Sequence, residues 1–208
     1  MVVTSLPALA SRRQAAAVPH DPIWRLSVQQ YHAMIQAGIL TEDDPVELLE
    51  GWLVLKMPKS PSHRMVTRLL GKALERLLPA DWYVDTQEPI TIIDSEPEPD
   101  VVVVRGDTRQ YPDRHPGSQD VALVVEVADT TLRRDRTLKK RLYAQAGIPI
   151  YWIVNLPERW FEVYTQPSGP IESPDYGRRQ DFGPADWVPV IIENSEVGRI
   201  AVQELLPA

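Results

Sequence analysis

Hydrophobic positions along the chain follow two periods in turn. Near the start, Ser27 can cap a helix that runs to Ala37 and stops at Gly38. An extended segment, Val46 to Met57, follows, with a turn at Glu50–Gly51 between two apolar runs. Ser60 then offers a second cap, and Pro61 suits the first helical position. Beyond it, apolar residues recur at helical spacing in two adjacent rows: Met65, Leu69, Ala73 and Leu77, and Val66, Leu70, Leu74 and Leu78. The period next shortens to that of strands at Tyr83–Val84, Ile90–Ile93, Val101–Val104 and Val121–Val127. The last two are near-continuous Val and Leu runs, as expected of strands covered on both faces. A helix over Thr131–Ala146, closed by Gly147 and Pro149, leads to further strands at Ile150–Val154, Phe161–Tyr164 and Val188–Ile192.

Helices before and after a buried strand group predict an α/β fold with a central mixed β-sheet flanked by helices. No shift in composition marks a domain boundary, so residues 23–208 read as a single domain behind a flexible arm, 1–22, rich in Ala, Pro and Ser. The arm has the wrong order for a secretory signal, because no cation precedes its short apolar run and Arg12–Arg13 follow it.

Composition narrows the function classes. With 43% hydrophobic and 25% charged residues, the chain is globular rather than disordered. A net charge of −7 argues against a surface that coats nucleic acid or an anionic membrane, yet leaves room for a local basic patch. The absence of cysteine excludes disulfides, thiolate zinc sites and cysteine nucleophiles, and fits a reducing, cytoplasmic setting. No apolar run approaches the roughly 20 residues of a membrane helix.

The informative residues are charges inside apolar patterns. In Val121–Ala128, Glu126 shares a face with Ala122, Val124 and Ala128, in a strand expected to be covered on both sides. A buried carboxylate is costly unless paired or bound to metal. Taken alone, Glu126 reads more readily as a strand-end residue that reaches water. Asp100 opens a second buried strand, and two carboxylates on neighbouring strands suit a hard cation such as magnesium. Lys139 precedes Leu142, Tyr143 and Ala146 by three, four and seven residues, which sets it on or beside the inward helix face; a snorkelling lysine is the plainer alternative. Lys140, Arg133 and Arg136 share a more outward face. The nine residues 133–141 hold six cations and one acid, where the chain average of 22 in 208 would put about one, and this run looks like a phosphate-facing patch that includes Lys140.

Asp100, Glu126 and a following lysine resemble the PD-(D/E)XK nuclease superfamily. More closely, the chain is similar to the Uma-two-type restriction endonucleases. The matching words are Val46-Glu47-Leu48-Leu49-Glu50-Gly51, Pro61-Ser62-His63, Glu98-Pro99-Asp100-Val101 and Val124-Val125-Glu126-Val127. The most specific is the run from Asp135 through Lys139 and Tyr143 to Gly147, ending Tyr151-Trp152-Ile153-Val154. The superfamily pattern puts lysine two residues after the acid, where this chain has Ala128; the resemblance implies that the lysine has moved to the following helix, at Lys139. Asn155 stands where relatives often carry Asp and receives no role.

The resemblance implies a metal-dependent DNA endonuclease. Asp100 and Glu126 would ligate magnesium or manganese, with the Val127 carbonyl as a further oxygen. Lys139 would orient or deprotonate the attacking water, or neutralise charge on the phosphate. His63, near the start of the second helix, is either a phosphate contact or simply a helix-start residue. Glu47 and Glu50 stay outside the expected site, Glu50 as a turn residue. No separate sequence-reading module is recognisable, so base preference falls to loops such as Arg105–Ser118 or Tyr176–Asp186. Cutting both strands of a duplex is simplest for a homodimer. The alternatives are a DNA-binding or regulatory protein on a nuclease-like fold without useful cleavage and, last, a structural protein in which Glu126 and Lys139 are only a buried ion pair.

Overall fold

The computed structural model describes residues 22–41 and 43–207; all of the expected arm but Pro22 lies outside them. Helix α1, Val28–Gln36, starts at Ser27, whose hydroxyl accepts from Gln30 N–H while the Gln30 side chain accepts from Ser27 N–H. Strands β1, Val46–Leu49, and β2, Trp52–Leu55, form a hairpin. Its two-residue turn holds Glu50 at φ 49 and Gly51 at φ 77, both in the left-handed region that this tight connection requires. Helix α2, Pro61–Glu75, begins at Ser60, whose hydroxyl accepts from His63 N–H.

The centre is a six-stranded sheet in the order β3-β4-β5-β6-β7-β8. Its strands are β3 Trp82–Asp85, β4 Val101–Arg105, β5 Val121–Ala128, β6 Ile150–Asn155, β7 Trp160–Pro167 and β8 Tyr176–Phe182. The pair β5–β6 is parallel and every other neighbour is antiparallel, so the sheet is mixed. A parallel pair needs a crossover, supplied by α3, Leu132–Arg134, a π-helical turn, Asp135–Lys139, and α4, Lys140–Gln145. The expected helix is therefore present, but its middle is widened. The widening shows in Lys140 N–H, which reaches back five residues to Asp135 C=O.

Both sheet faces are covered. On one, Val101, Val103, Val125, Val127 and Trp152 pack against Val66, Leu70 and Leu74 of α2. The hairpin of β9, Trp187–Ile192, and β10, Ser195–Ala201, covers the same face. On the other, Val102, Val104, Val124 and Ile153 meet Leu142, Tyr143 and Ala144 of α4. No described helix is long and apolar enough to cross a membrane.

Of the two apolar rows on α2, the one through Val66, Leu70 and Leu74 is fully buried; in the other, Ala73 and Leu77 pack half-buried against the same core while Met65 and Leu69 stay exposed. Two expectations are corrected. Ile90–Ile93 is not a strand. Proline at 89, 97 and 99 punctuates this stretch and limits it to isolated bridges, Thr91 to Gly117 and Ile92 to Ser95. Conversely, Tyr176–Phe182 is an edge strand rather than a loop. Its five middle residues are all exposed and mostly polar, so it shows no alternation.

The α2 assignment is checked by two substitutions. Leu70→Ala should cost about 2–5 kcal/mol of stability by opening a core cavity, whereas Leu69→Ala should change it by about 0.5 kcal/mol or less. Urea midpoints at constant slope measure both.

Candidate active site

The pairing of β4 with β5 determines the first contact. Val101 lies opposite Val125, so the register continued by one residue sets Asp100 opposite Glu126, on the same sheet face. Asp100 Oδ2 accepts from Val127 N–H at 2.8 Å and lies 3.0 Å from His63 Nε2. Glu126 Oε1 accepts from Lys139 Nζ at 2.8 Å and from the Tyr143 hydroxyl at 2.7 Å. Each carboxylate thus commits one oxygen to the fold. Among the described residues, Asp100 Oδ1 and Glu126 Oε2 make no hydrogen bond.

Lys139 closes the π turn, and its buried ammonium also stands 3.2 Å from Glu47 Oε2. Glu47 is buried on β1; its Oε2 accepts from Glu98 N–H, and its Oε1 lies 3.7 Å from Arg134. Sequence reasoning leaves Glu47 aside. The available signal is a glutamate amid the apolar residues of a strand whose other members are mostly buried. Tyr143 is visible in the sequence as part of an apolar stripe and of the matching run from Asp135 to Gly147, but its hydroxyl contact needs the fold.

Burial raises the Glu126 carboxyl to about 8; Lys139 opposes this, while Asp135, Asp100 and Glu47 add to it. Burial alone would lower Lys139, but Glu126, Glu47 and Asp135 outweigh it and hold the ammonium above the ordinary lysine range. Asp135 is raised by burial too, and one of its oxygens has no partner. The cluster holds more carboxylate than its cations balance.

Asp100, Glu126, Lys139 and His63 line one small cleft, together with Glu47, Glu98 and the segments Lys56–Ser60 and Asp129–Thr131. Its free volume is about 50 Å³, space for a few waters or a hydrated ion, since one water needs roughly 10–15 Å³ on this measure. Neither Arg105–Ser118 nor Tyr176–Asp186, the loops expected to read bases, borders it.

Of the two residues offered as phosphate contacts, His63 lines the cleft and Lys140 does not. His63 is buried with Nε2 on Asp100 and no partner for Nδ1, so it braces a carboxylate instead of facing solvent. Lys140 lies outside the cleft, paired with Asp175 at 2.8 Å. Most of the basic run is likewise committed internally: Arg134 and Lys139 to Glu47, Arg136 to Glu162 and Glu158, and Arg141 to Glu50. The run is therefore not the free patch expected of it, because helix packing delivers a carboxylate to nearly every cation. Asn155 anchors the β6–β7 turn through Glu158 and Glu162.

Unpaired cations lie elsewhere. Arg64, Arg68, Lys72 and Arg76 are exposed at successive four-residue steps along α2 and its end, and make no ion pair among the described residues. Met65 and Leu69 stand exposed beside them.

A pH dependence follows from Glu126. Its carboxyl is raised from an ordinary 4.5 to about 8 in the fold. The associated stability is full below about 4.5 and is lost as pH rises through 8. Glu126→Gln should remove this loss. In metal-free buffer, wild type should weaken relative to the variant by several kcal/mol between acid and mildly alkaline pH, since each tenfold change in proton affinity is about 1.4 kcal/mol. Denaturant titrations at several pH values measure the difference.

Comparison with known proteins agrees with this architecture. A fold match of TM-score 0.65 at 15% identity, covering 86% of this chain and 97% of the other, is the crystal structure of a "putative nuclease belonging to DUF820" from Anabaena variabilis ATCC 29413. No curated protein matches. The family Uma2, described as "Putative restriction endonuclease", matches residues 28–190. Since that match spans most of the molecule, including the β4–β5 carboxylates and the crossover helix, the chain belongs to the Uma2 family.

Proposed function

We propose that the protein is a divalent-metal-dependent DNA endonuclease that hydrolyses phosphodiester bonds at Asp100, Glu126 and Lys139. One observation carries this reading. Two carboxylates face each other across adjacent strands, each with one uncommitted oxygen, beside a buried ammonium in a cleft of ionic size. Oxygen donors without nitrogen or sulfur suit magnesium or manganese, which keep several waters and take one or two carboxylates. Asp100 and Glu126 would hold the ion. When bound, such a cation supplies Lewis acidity and acidifies water.

The remaining steps belong to the chain's own groups. His63 and Val127 N–H hold the Asp100 carboxylate by Oδ2 and so leave Oδ1 uncommitted beside the cleft. Tyr143 does the same for Glu126. Lys139, held in a salt bridge to Glu126 and Glu47, sets a positive charge where a phosphate gains negative charge on attack. His63 is thus a positioning residue, and Lys140 has no part in the chemistry.

The duplex is approached along α2. Arg64, Arg68, Lys72 and Arg76 span about 18 Å at 1.5 Å per residue, a length that can follow several phosphates. His63 brings the start of that helix to the cleft. A locally positive ridge on a protein of net charge −7 would confine DNA to one face.

Cleavage of a duplex panel with magnesium or manganese tests the chemistry. Glu126→Ala and Lys139→Ala should each reduce single-turnover cleavage by about 100-fold or more, the scale of losing a charge-stabilising group, while Lys140→Ala stays near wild type. DNA binding without cleavage under either metal would instead identify a DNA-binding or regulatory protein on this fold.

Arg68→Ala tests the ridge. It should lower the salt dependence of DNA affinity by about 0.9 in the log–log slope, one phosphate contact's share, with cleavage of bound DNA unchanged. A homodimer remains part of this proposal, because each chain offers one such cleft and a duplex has two strands to cut. Sedimentation at micromolar concentration should find a dimer, and a monomer would remove that element alone.

A further inference from the structure

A second constellation lies beyond the wall of the cleft. Glu96, in the segment between the β1–β2 hairpin and β4, is buried at 4% exposure and has no lysine or arginine paired with it among the described residues. The side chains that meet it are His32 of α1, with Nε2 at 2.8 and 3.0 Å from the two carboxylate oxygens; Thr91, whose hydroxyl donates at 2.7 Å; and His115, with Nε2 at 4.0 Å. A buried carboxylate without an obligate cation is expensive. Two segments distant in sequence, those of His32 and His115, have nonetheless been brought to it, and both present imidazole.

We propose that His32, Glu96 and His115 form a metal site for a zinc-class dication, separate from the carboxylate pair at Asp100 and Glu126. One ligand atom from each of the three residues can be chosen so that all lie within 4.8 Å of one another. Around a tetrahedral zinc with bonds of about 2.0–2.1 Å, ligand atoms stand about 3.3 Å apart. The separations of His32 from Glu96 fall just inside that edge, and His115 needs to close by about 0.7 Å on Glu96 and by at most about 1.5 Å on His32. It is free to do so, since 42% of its side chain is exposed. Two imidazole nitrogens and one carboxylate select zinc, cobalt or nickel over magnesium. Thr91 fixes the carboxylate from behind, and the backbone N–H of Glu96 donates to Leu48 C=O, so the anionic ligand is oriented in advance.

The site is partly open. His32 and His115 are each about two-fifths exposed, and Glu96 and His115 border a surface cavity, which leaves access for a fourth ligand from solvent. Lys56 and Glu98, paired to each other, border both this cavity and the nuclease-type cleft. A dication here would tie α1 to the segments before β4 and β5. The assignment does not rest on the nuclease reading, because its donors are different residues and its readout is stability.

The test uses the tag-free full chain, stripped with chelator and titrated with zinc chloride against a chromophoric competitor, with thermal unfolding followed in parallel. One zinc per chain should bind, and saturation at about 100 times Kd should raise the unfolding temperature by about 5–10 °C. His115→Ala, at an exposed residue, should weaken zinc by about 100-fold or more, above the range for losing a mere supporting partner, without altering metal-free unfolding. His32→Gln keeps a donor toward Glu96 and should weaken zinc likewise. Asp100→Asn should leave the tight zinc intact, and millimolar magnesium should not reproduce the stabilisation. Zinc uptake that survives both histidine variants, or is lost in Asp100→Asn, would overturn the site. So would the absence of saturable zinc binding, which would make the three residues a hydrogen-bonded brace.

Discussion

The cleft is organised by a single buried ammonium set among carboxylates. Lys139 bridges Glu126 and Glu47, with Asp100 and Asp135 close enough to raise the Glu126 carboxyl further. A pair of this kind adds little stability over well-packed apolar side chains, yet removing one partner leaves an unmatched charge in a dry site. The arrangement is therefore costly to maintain and costly to break. The surplus of negative charge also explains why burial prevails over the lysine in setting Glu126. A divalent cation at the uncommitted oxygens is the chemistry that would balance it, as the nuclease reading requires.

The sheet makes such a cluster possible. Adjacent β4 and β5 set two side chains face to face, a placement more rigid than a loop provides. The parallel β5–β6 pair forces the chain to cross back over the sheet, and the crossover carries Lys139 over Glu126. The π turn brings Asp135 and Lys139 both to buried positions within five residues. From the opposite face, the start of α2 brings His63 to Asp100. Residues from both covering layers thus converge where β4 begins and β5 ends.

Charge is partitioned the same way. The densest basic stretch of the sequence, 133–141, is spent largely on internal pairs with Glu47, Glu50, Glu158, Glu162 and Asp175. Four of the cations left without an ion pair among the described residues, Arg64, Arg68, Lys72 and Arg76, lie along α2 and at its end, where four-residue spacing aligns them into a ridge. Under the nuclease reading proposed above, local surplus on one helix lets a net acidic protein meet a polyanion.

Much of this was legible in the sequence. Unbroken Val and Leu runs marked β4 and β5 as covered strands, because a strand without a polar face has nowhere wet to lie. Glu126 and Lys139 stood out because each interrupts a periodic pattern, and helical spacing separated inward Lys139 from half-exposed Lys140. Partnership was not legible. Whether His63 meets phosphate or Asp100, whether Arg136 faces solvent or Glu162, and whether Glu47 belongs to the cleft depend on side chains distant in sequence. The edge strand β8 escaped detection because an exposed strand has no apolar period to reveal it. Periodicity records which positions are buried, since burial is imposed residue by residue along an element. Pairing between charges is decided only when tertiary packing brings separate elements within a few ångströms, and no local pattern encodes that distance.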